Sequence, residues 1–515
     1  MGSWWGTAAR NYALAPTRTV AAVSGALGLA LAAGGVAAAG PWHGGQRTSE
    51  WEWARGAVVY HGGYAQVRPR PVPRPAWVAP QAVLSGAVVG SPVDGSVDGS
   101  VGGSPTAGQS GSVDAAAPTA KGLAAALGPA LSAPVLGQFT ASVVDAVTGK
   151  TLYAKNQDTP QAPASTNKIA TSIAALSLLG PEHRFTTRVV STAPGQIVLV
   201  GGGDPTLTAA PTSGADPRAS LATLADRTAA ALKASGSSSV RLGYDISLFS
   251  GPAQTPAANV GDNIALVQAL TVDEGRIDPN STEDAPRYSD PAATAAARFA
   301  ALLVKRGIAV QQGSPSRTTV SAAVKAAAPL AQVRSQPLSE IVEQMLTASD
   351  NDYAEALGHQ AALASGRPAT FAGGAAAVTQ ALAGLGVPLG STRLVDASGL
   401  SGDDAIPAAV LTRLLLLASS SAHPELRAVV TGLPIAGYTG TLADRFAGDG
   451  SNSGVGLVRA KTGSLSTVNT LAGLVMDRDG RLLAFSFMSN ASGDVTAARN
   501  ALDRLAGRVA VCGCR

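Results

Sequence analysis

Charge, aromatic rings and cysteine are all sparse in this chain. Charged residues fill 14% and aromatic residues 4% of its 515 positions, and there are only two cysteines. All six tryptophans (Trp4, Trp5, Trp42, Trp51, Trp53, Trp77) precede residue 78, so the folded part must be built on Ala, Val, Leu and Ile. The net charge is +4, and Arg10 and Arg18 are the only charged residues before residue 41. No long Lys/Arg run exists, which excludes the electrostatic footprint of a nucleic-acid binder. Cys512 and Cys514 have no second pair to complete a zinc site, so a frayed, silent tail is expected, with a local disulfide as the alternative. His43, His61, His183, His359 and His423 are scattered without ligand spacing. No metal or cofactor is therefore expected. Gly201-Gly202-Gly203-Asp204 lacks the endings of a phosphate loop and reads as a turn. There is no Gly-x-Ser-x-Gly elbow.

One uncharged stretch near the N-terminus is informative by its place in the chain. Residues 20–40 carry no charge and follow two arginines, the pattern of an export signal or membrane anchor. Ala37-Ala38-Ala39 fits a cleavage site, so residues 1–40 are expected to be a signal peptide or a membrane anchor, and the rest extracytoplasmic. Residues 41–118 read as a Pro/Gly/Ser-rich disordered linker. It runs from the polyproline-like Arg68–Pro75 segment to the near-repeats starting at Val93, Val97 and Val101.

Beyond the linker the pattern becomes that of a folded domain. Phe139–Thr148 and Thr151–Ala154 read as paired strands, and apolar Ile169, Ile173, Leu176 and Leu179 give Ser165–Leu179 a helical period ended by Gly180-Pro181. Late in the chain, Gly456–Lys461, Val468–Met476 and Leu482–Met488 read as strands, followed by a helix over about 494–509. Two strands from the front and three from the back predict one antiparallel five-stranded sheet covered by helices. The fold class is thus α/β in the α+β sense. The catalytic domain is discontinuous, at 119–183 and 325–515, around an inserted, mainly β accessory region at 184–324.

Three motifs in fixed order carry the chemistry: Ser165-Thr166-Asn167-Lys168, Ser349-Asp350-Asn351 and Lys461-Thr462-Gly463. Ser165 and Lys168 are three apart at a helix start and share a face, where free backbone N–H groups favour an oxyanion. A serine hydroxyl needs a base, and Lys168 can serve if burial and a second cation such as Lys461 depress its pKa. Ser349 and Asn351 sit between two apolar helices. They suit an N-cap, and equally a proton relay to a leaving amine (Ser349) and a bond to a substrate amide (Asn351). Lys461, Thr462 and Gly463 fall late on a strand whose edge can accept an extended peptide. There the first two would face a carboxylate, and the glycine would admit substrate backbone.

These motifs come with further pieces: Val144-Asp145-Ala146, Pro163-Ala164, Gly202–Leu207, Asp396-Ala-Ser-Gly-Leu-Ser401 and Gly440-Thr441-Leu442. On them, the chain from about 123 to 510 resembles the D-alanyl-D-alanine carboxypeptidase/endopeptidase family, the type-4, class C low-molecular-mass penicillin-binding proteins. The resemblance implies a penicillin-binding, transpeptidase-like fold with domains inserted between the first two motifs. It implies Ser165 as the acylated nucleophile and Lys168 as its base, with Ser349, Asn351 and Lys461 assisting. The backbone N–H groups of Ser165 and Ser464 would form the oxyanion hole. Peptidoglycan stem peptides are the implied partners and β-lactams the implied covalent inhibitors, with residues 20–40 a candidate membrane anchor. Gly402 departs from the family, which often has a basic residue there. Two alternatives stand beside this reading. A serine β-lactamase is disfavoured because no Glu-x-x-Asn segment follows the second motif, and a catalytically idle wall-anchored protein because the Ser/Lys/Ser/Asn/Lys set is complete.

Overall fold

The computed structural model of this chain describes residues 115–514, except 213–217, 259, 283 and 449. The signal or anchor at 1–40 and nearly all of the linker lie outside the described residues. Among the described residues no helix is long and apolar enough to cross a membrane.

The folded chain enters through helix α1 (Ala120–Leu131), then forms strands β1 (Gln138–Asp145) and β2 (Thr151–Lys155) and helix α2 (Asn167–Leu179). It continues through β3 (Thr186–Ala193), β4 (Gln196–Val200), α3 (Leu221–Ala234), β5 (Ser239–Asp245), α4 (Pro291–Lys305) and β6 (Ala331–Arg334). It returns with α5 (Leu338–Ala348), α6 (Asn351–Ala364), α7 (Phe371–Gly384) and α8 (Ala408–Ser419). It closes with β7 (Val458–Leu465), β8 (Val468–Met476), β9 (Leu482–Asn490) and α9 (Val495–Ala510).

The main sheet has the order β7-β8-β9-β1-β2, antiparallel throughout. Alternate residues face opposite ways, so each strand feeds two cores. Leu471, Val475, Phe485 and Phe487 pack with Leu123, Leu127, Leu502 and Leu505 of α1 and α9. Ala472, Leu474, Ala484 and Met488 pack with α2, α5 and α8. Covering both faces explains why β8 and β9 read as continuous apolar runs rather than alternating ones. Front and back of the chain are tied by buried Arg481, which donates to both Asp145 carboxylate oxygens at 2.9 and 2.8 Å.

Two expectations need correcting. The insert has a six-stranded sheet containing β3–β6 and two short strands, but α3 and α4 pack on it, so it is mixed α/β rather than mainly β. Alanine populates both faces of these helices and blurs their period. Their starts are nevertheless written in the sequence: Ser220 accepts from the N–H groups of Ala222 and Thr223, and Asp290 from that of Ala293. The C-terminal tail is not frayed either. Cys512 and Cys514 are bridged, Cys512 is buried, and Thr119 donates to the Cys514 carbonyl through its N–H (2.8 Å) and its hydroxyl (3.1 Å).

Candidate active site

Ser165 stands on a single 3₁₀ turn, Ala164–Thr166, that runs straight into α2. The residue before it, Ala164, has φ +46°, a left-handed conformation that costs a non-glycine residue about 1–2 kcal/mol. The surrounding structure holds that turn in place. Thr470 Oγ1 donates to the Pro163 carbonyl at 2.7 Å. A Cβ at Gly463 would meet Thr470 Oγ1 at 2.2 Å and the Pro163 carbonyl at 2.7 Å. A Cβ at Gly399, which has φ +83°, would meet the Ala164 carbonyl at 1.9 Å. The expectation that Gly463 admits substrate backbone is therefore revised. Its bare face admits the turn that carries Ser165.

Lys168 lies one helical step inside, completely buried. Its Nζ donates three hydrogen bonds: to Ser165 Oγ (2.9 Å), Asn351 Oδ1 (2.7 Å) and the Ser398 carbonyl (2.8 Å). Those use every proton of an ammonium and leave an amine's lone pair to face one of them. Burial depresses the Lys168 pKa from 10.5 to about 8, while Asp350, Asp396, Glu355 and Asp352 work in the opposite direction.

Lys461, also fully buried, donates to Ser349 Oγ and to the Thr462 carbonyl, both at 2.8 Å. Its pKa lies well below the ordinary lysine value, first through burial and then through the charges of Lys168 and Arg445. Burial is thus the main force on both lysines, and the mutual repulsion of the two ammonium groups weighs on Lys461. Thr462 Oγ1 meets Thr441 Oγ1 at 2.8 Å.

The Ser-Asp-Asn motif divides its work by geometry. Asp350, not its neighbours, caps α6 by accepting from the Tyr353 N–H at 2.9 Å. Ser349, in a left-handed conformation (φ +64°) after α5, is thereby left to meet Lys461, and Asn351 to meet Lys168. Asn351 Nδ2 also donates to the Asn263 carbonyl of the insert at 3.1 Å.

All eight sequence-selected positions fall in this region. Ser165, Lys168 and Asn351 form one hydrogen-bonded group, and Ser349, Lys461 and Thr462 a second. Gly463 and the exposed Ser464 follow on β7, opposite Thr470 and Asn469 of β8. β7 is the sheet edge. The segment around Ile435 covers its first half, with Ala460 N–H donating to Pro434 and Ala436 N–H to Val458.

Four further residues border these groups. Asn167 donates to the Asp396 carbonyl at 3.2 Å and Thr171 to the Ala397 carbonyl at 2.6 Å, which fastens the 396–401 loop to α2. Asp396 ties the loop to itself by accepting from the Gly399 and Ser401 N–H groups. Glu355 grips it from α6. The signal for Glu355 is an acidic residue one helical turn after Asn351, inside an Ala/Leu-rich face. Glu274, Asp350 and Asp352 also gather closely enough to hold a metal ion, but Arg276 and Arg287 pair with them.

A family model described as D-Ala-D-Ala carboxypeptidase 3 (S13) matches residues 123–287 and 280–510. A carboxypeptidase of Mycobacterium tuberculosis is 40% identical over 408 residues, which span 78% of this chain and 86% of that protein. The carboxypeptidase DacB of Mycolicibacterium smegmatis is 38% identical over 413 residues, with the same coverage of 78% and 86%. The crystal structure of penicillin binding protein 4 from Haemophilus influenzae aligns with a TM-score of 0.60 at 22% identity. It covers 76% of this chain and 97% of that one, and shows the same fold.

Proposed function

This chain belongs to the D-Ala-D-Ala carboxypeptidase 3 (S13) family, and on that premise we propose that Ser165 is its nucleophile and Lys168 the base. The protein is a serine-type D-Ala-D-Ala carboxypeptidase and/or endopeptidase, acting on peptidoglycan stem peptides or cross-links through an acyl-enzyme. The observation that carries the residue assignment is the 2.9 Å contact between Ser165 Oγ and the buried Lys168 Nζ. Burial favours the neutral amine, which can take a proton.

In the first step Lys168 accepts the hydroxyl proton while Ser165 Oγ bonds to the carbonyl carbon of the penultimate D-Ala. The oxyanion is held by the backbone N–H groups of Ser165 and Ser464. The C–N bond then breaks, and the proton reaches the leaving amine through Ser349, whose hydroxyl is held by Lys461. Water cleaves the ester and frees Ser165. Asn351 bonds the substrate amide, and the uncovered half of β7, from Lys461 to Ser464, takes the peptide by strand addition. Lys461 and Thr462 receive the terminal carboxylate.

The division of the chain follows. Residues 119–183 and 325–515 form the catalytic body, which lends β6 to the sheet of the 184–324 insert. We place the enzyme outside the cytoplasm, where peptidoglycan lies, with residues 20–40 as export signal or anchor and β-lactams as covalent inhibitors. A pentapeptide ending in D-Ala-D-Ala tests the assignment. Wild type should release D-Ala, and Ser165→Ala should lose at least about 10³ of that rate, as enzymes do on losing a nucleophile. Substantial release by Ser165→Ala would contradict it.

A further inference from the structure

Asn351 and Glu355 stand one turn apart on α6, and both reach Lys168 by different routes. Asn351 does so directly, at 2.7 Å. Glu355, only 1% exposed, accepts from the N–H groups of Ala397 (3.1 Å) and Ser398 (2.8 Å) through Oε1. The other side of the same dipeptide faces α2: the Ala397 carbonyl accepts from Thr171 at 2.6 Å, and the Ser398 carbonyl from Lys168 Nζ at 2.8 Å. A rigid pair of peptide planes therefore links the Glu355 carboxyl group to the Lys168 amine.

We propose that Glu355 is a positioning residue for Lys168: it fixes the Ser398 carbonyl that takes one of the lysine's three hydrogen bonds, and its charge biases where the lysine's proton resides. This rests on Lys168 being the base for Ser165. A scaffold that only needed the loop held could use a neutral amide, since a buried carboxylate carries a desolvation cost. The groups facing the pair are Asp396 from the loop, Asp350 and Asp352 from the start of α6, Lys461 from β7, and His359 one turn further on. Burial, reinforced by Asp396, pushes Glu355 up to about 8, where Lys168 has been brought down by burial. The two titrate in one range, and the carboxylate form of Glu355 favours the ammonium form of Lys168.

The test is the single-turnover rate of acylation by a fluorescent penicillin as a function of pH, on the intact chain. Acylation by a neutral Lys168 falls as pH drops through that group's pKa. Glu355 is partly ionised at that midpoint, so Glu355→Gln, which removes its negative charge, should move the acid-side midpoint down, by up to about one unit. Thr171→Val loosens the same loop without changing charge and should lower the plateau with the midpoint unmoved. Glu355→Asp keeps the charge but withdraws it from the loop, and it too should lower the plateau. An unshifted Glu355→Gln midpoint, an equal shift in Thr171→Val, or a wild-type plateau in Glu355→Asp overturns the proposal. Absence of any adduct on Ser165 in wild type would instead locate the failure in the nucleophile assignment.

Discussion

Lys461 shows how much one side chain's surroundings decide. It is fully buried, and its only hydrogen-bonding partners among the described residues are Ser349 Oγ and the Thr462 carbonyl. Neither carries a compensating negative charge, so burial and the neighbouring cations hold its pKa well below the ordinary lysine value. A substrate carboxylate arriving at the Lys461–Gly463 strand restores the missing partner, and the resulting bond is charge-assisted. Lys461→Gln should therefore weaken cleavage of peptides with a free D-Ala carboxylate by about 1.5–3 kcal/mol more than of their C-terminal amides. Matched acid and amide substrates under kcat/KM conditions measure this difference. Equal losses would withdraw the carboxylate-binding role and leave Lys461 acting on Ser349 alone. The residues of the two hydrogen-bonded groups were legible because each stands in a short motif. For Glu355 the sequence shows only an acidic residue in an Ala/Leu-rich helix, one turn after Asn351, and not its contact with the backbone of a loop some forty positions away.

At the scale of elements, the decisive arrangement is the edge strand β7 pressed against the 3₁₀ turn that bears Ser165. Gly463 makes that contact and is required by it, because any Cβ there falls 2.2 Å from Thr470 Oγ1 and 2.7 Å from the Pro163 carbonyl. Gly463→Ala must shift either the strand or the Ser165 turn, at an overpacking cost of about 1–3 kcal/mol. The variant should acylate at least tenfold more slowly, and adding Thr470→Ala should restore part of the rate by removing the nearer obstacle. Stopped-flow acylation of both variants checks this, and a normal rate in Gly463→Ala would mean that β7 does not position the turn. Strand alternation and helix periods revealed these elements but not their seam. The sequence offers a glycine beside a lysine and threonine, which suits close approach of substrate equally well. Only the location of Pro163, some 300 positions earlier, distinguishes the two.

Across the whole molecule, the five-stranded sheet is assembled from two distant stretches of chain. Arg481 at the start of β9 grips Asp145 at the end of β1, and the Cys514 carbonyl receives Thr119 at the head of α1. The five-stranded sheet was readable because all its strands lie near the ends of the folded region and each has a clear β pattern. The helices of the insert were harder to see, since alanine on both faces erases the contrast that marks an amphipathic helix. The C-terminal tail, expected to fray with a local disulfide as the alternative, is bridged and is held in part by Thr119, nearly 400 positions away. What this fold does is bring two hydrogen-bonded groups, Ser165–Lys168–Asn351 and Ser349–Lys461, together from three separate parts of the chain. The most direct measurement of that claim is peptide mapping by mass spectrometry after brief exposure of the intact protein to penicillin. A single covalent adduct should appear on Ser165, be absent from Ser165→Ala, and form far more slowly in Lys168→Ala. An adduct on any other residue, or labelling of Ser165→Ala at the wild-type rate, would contradict it.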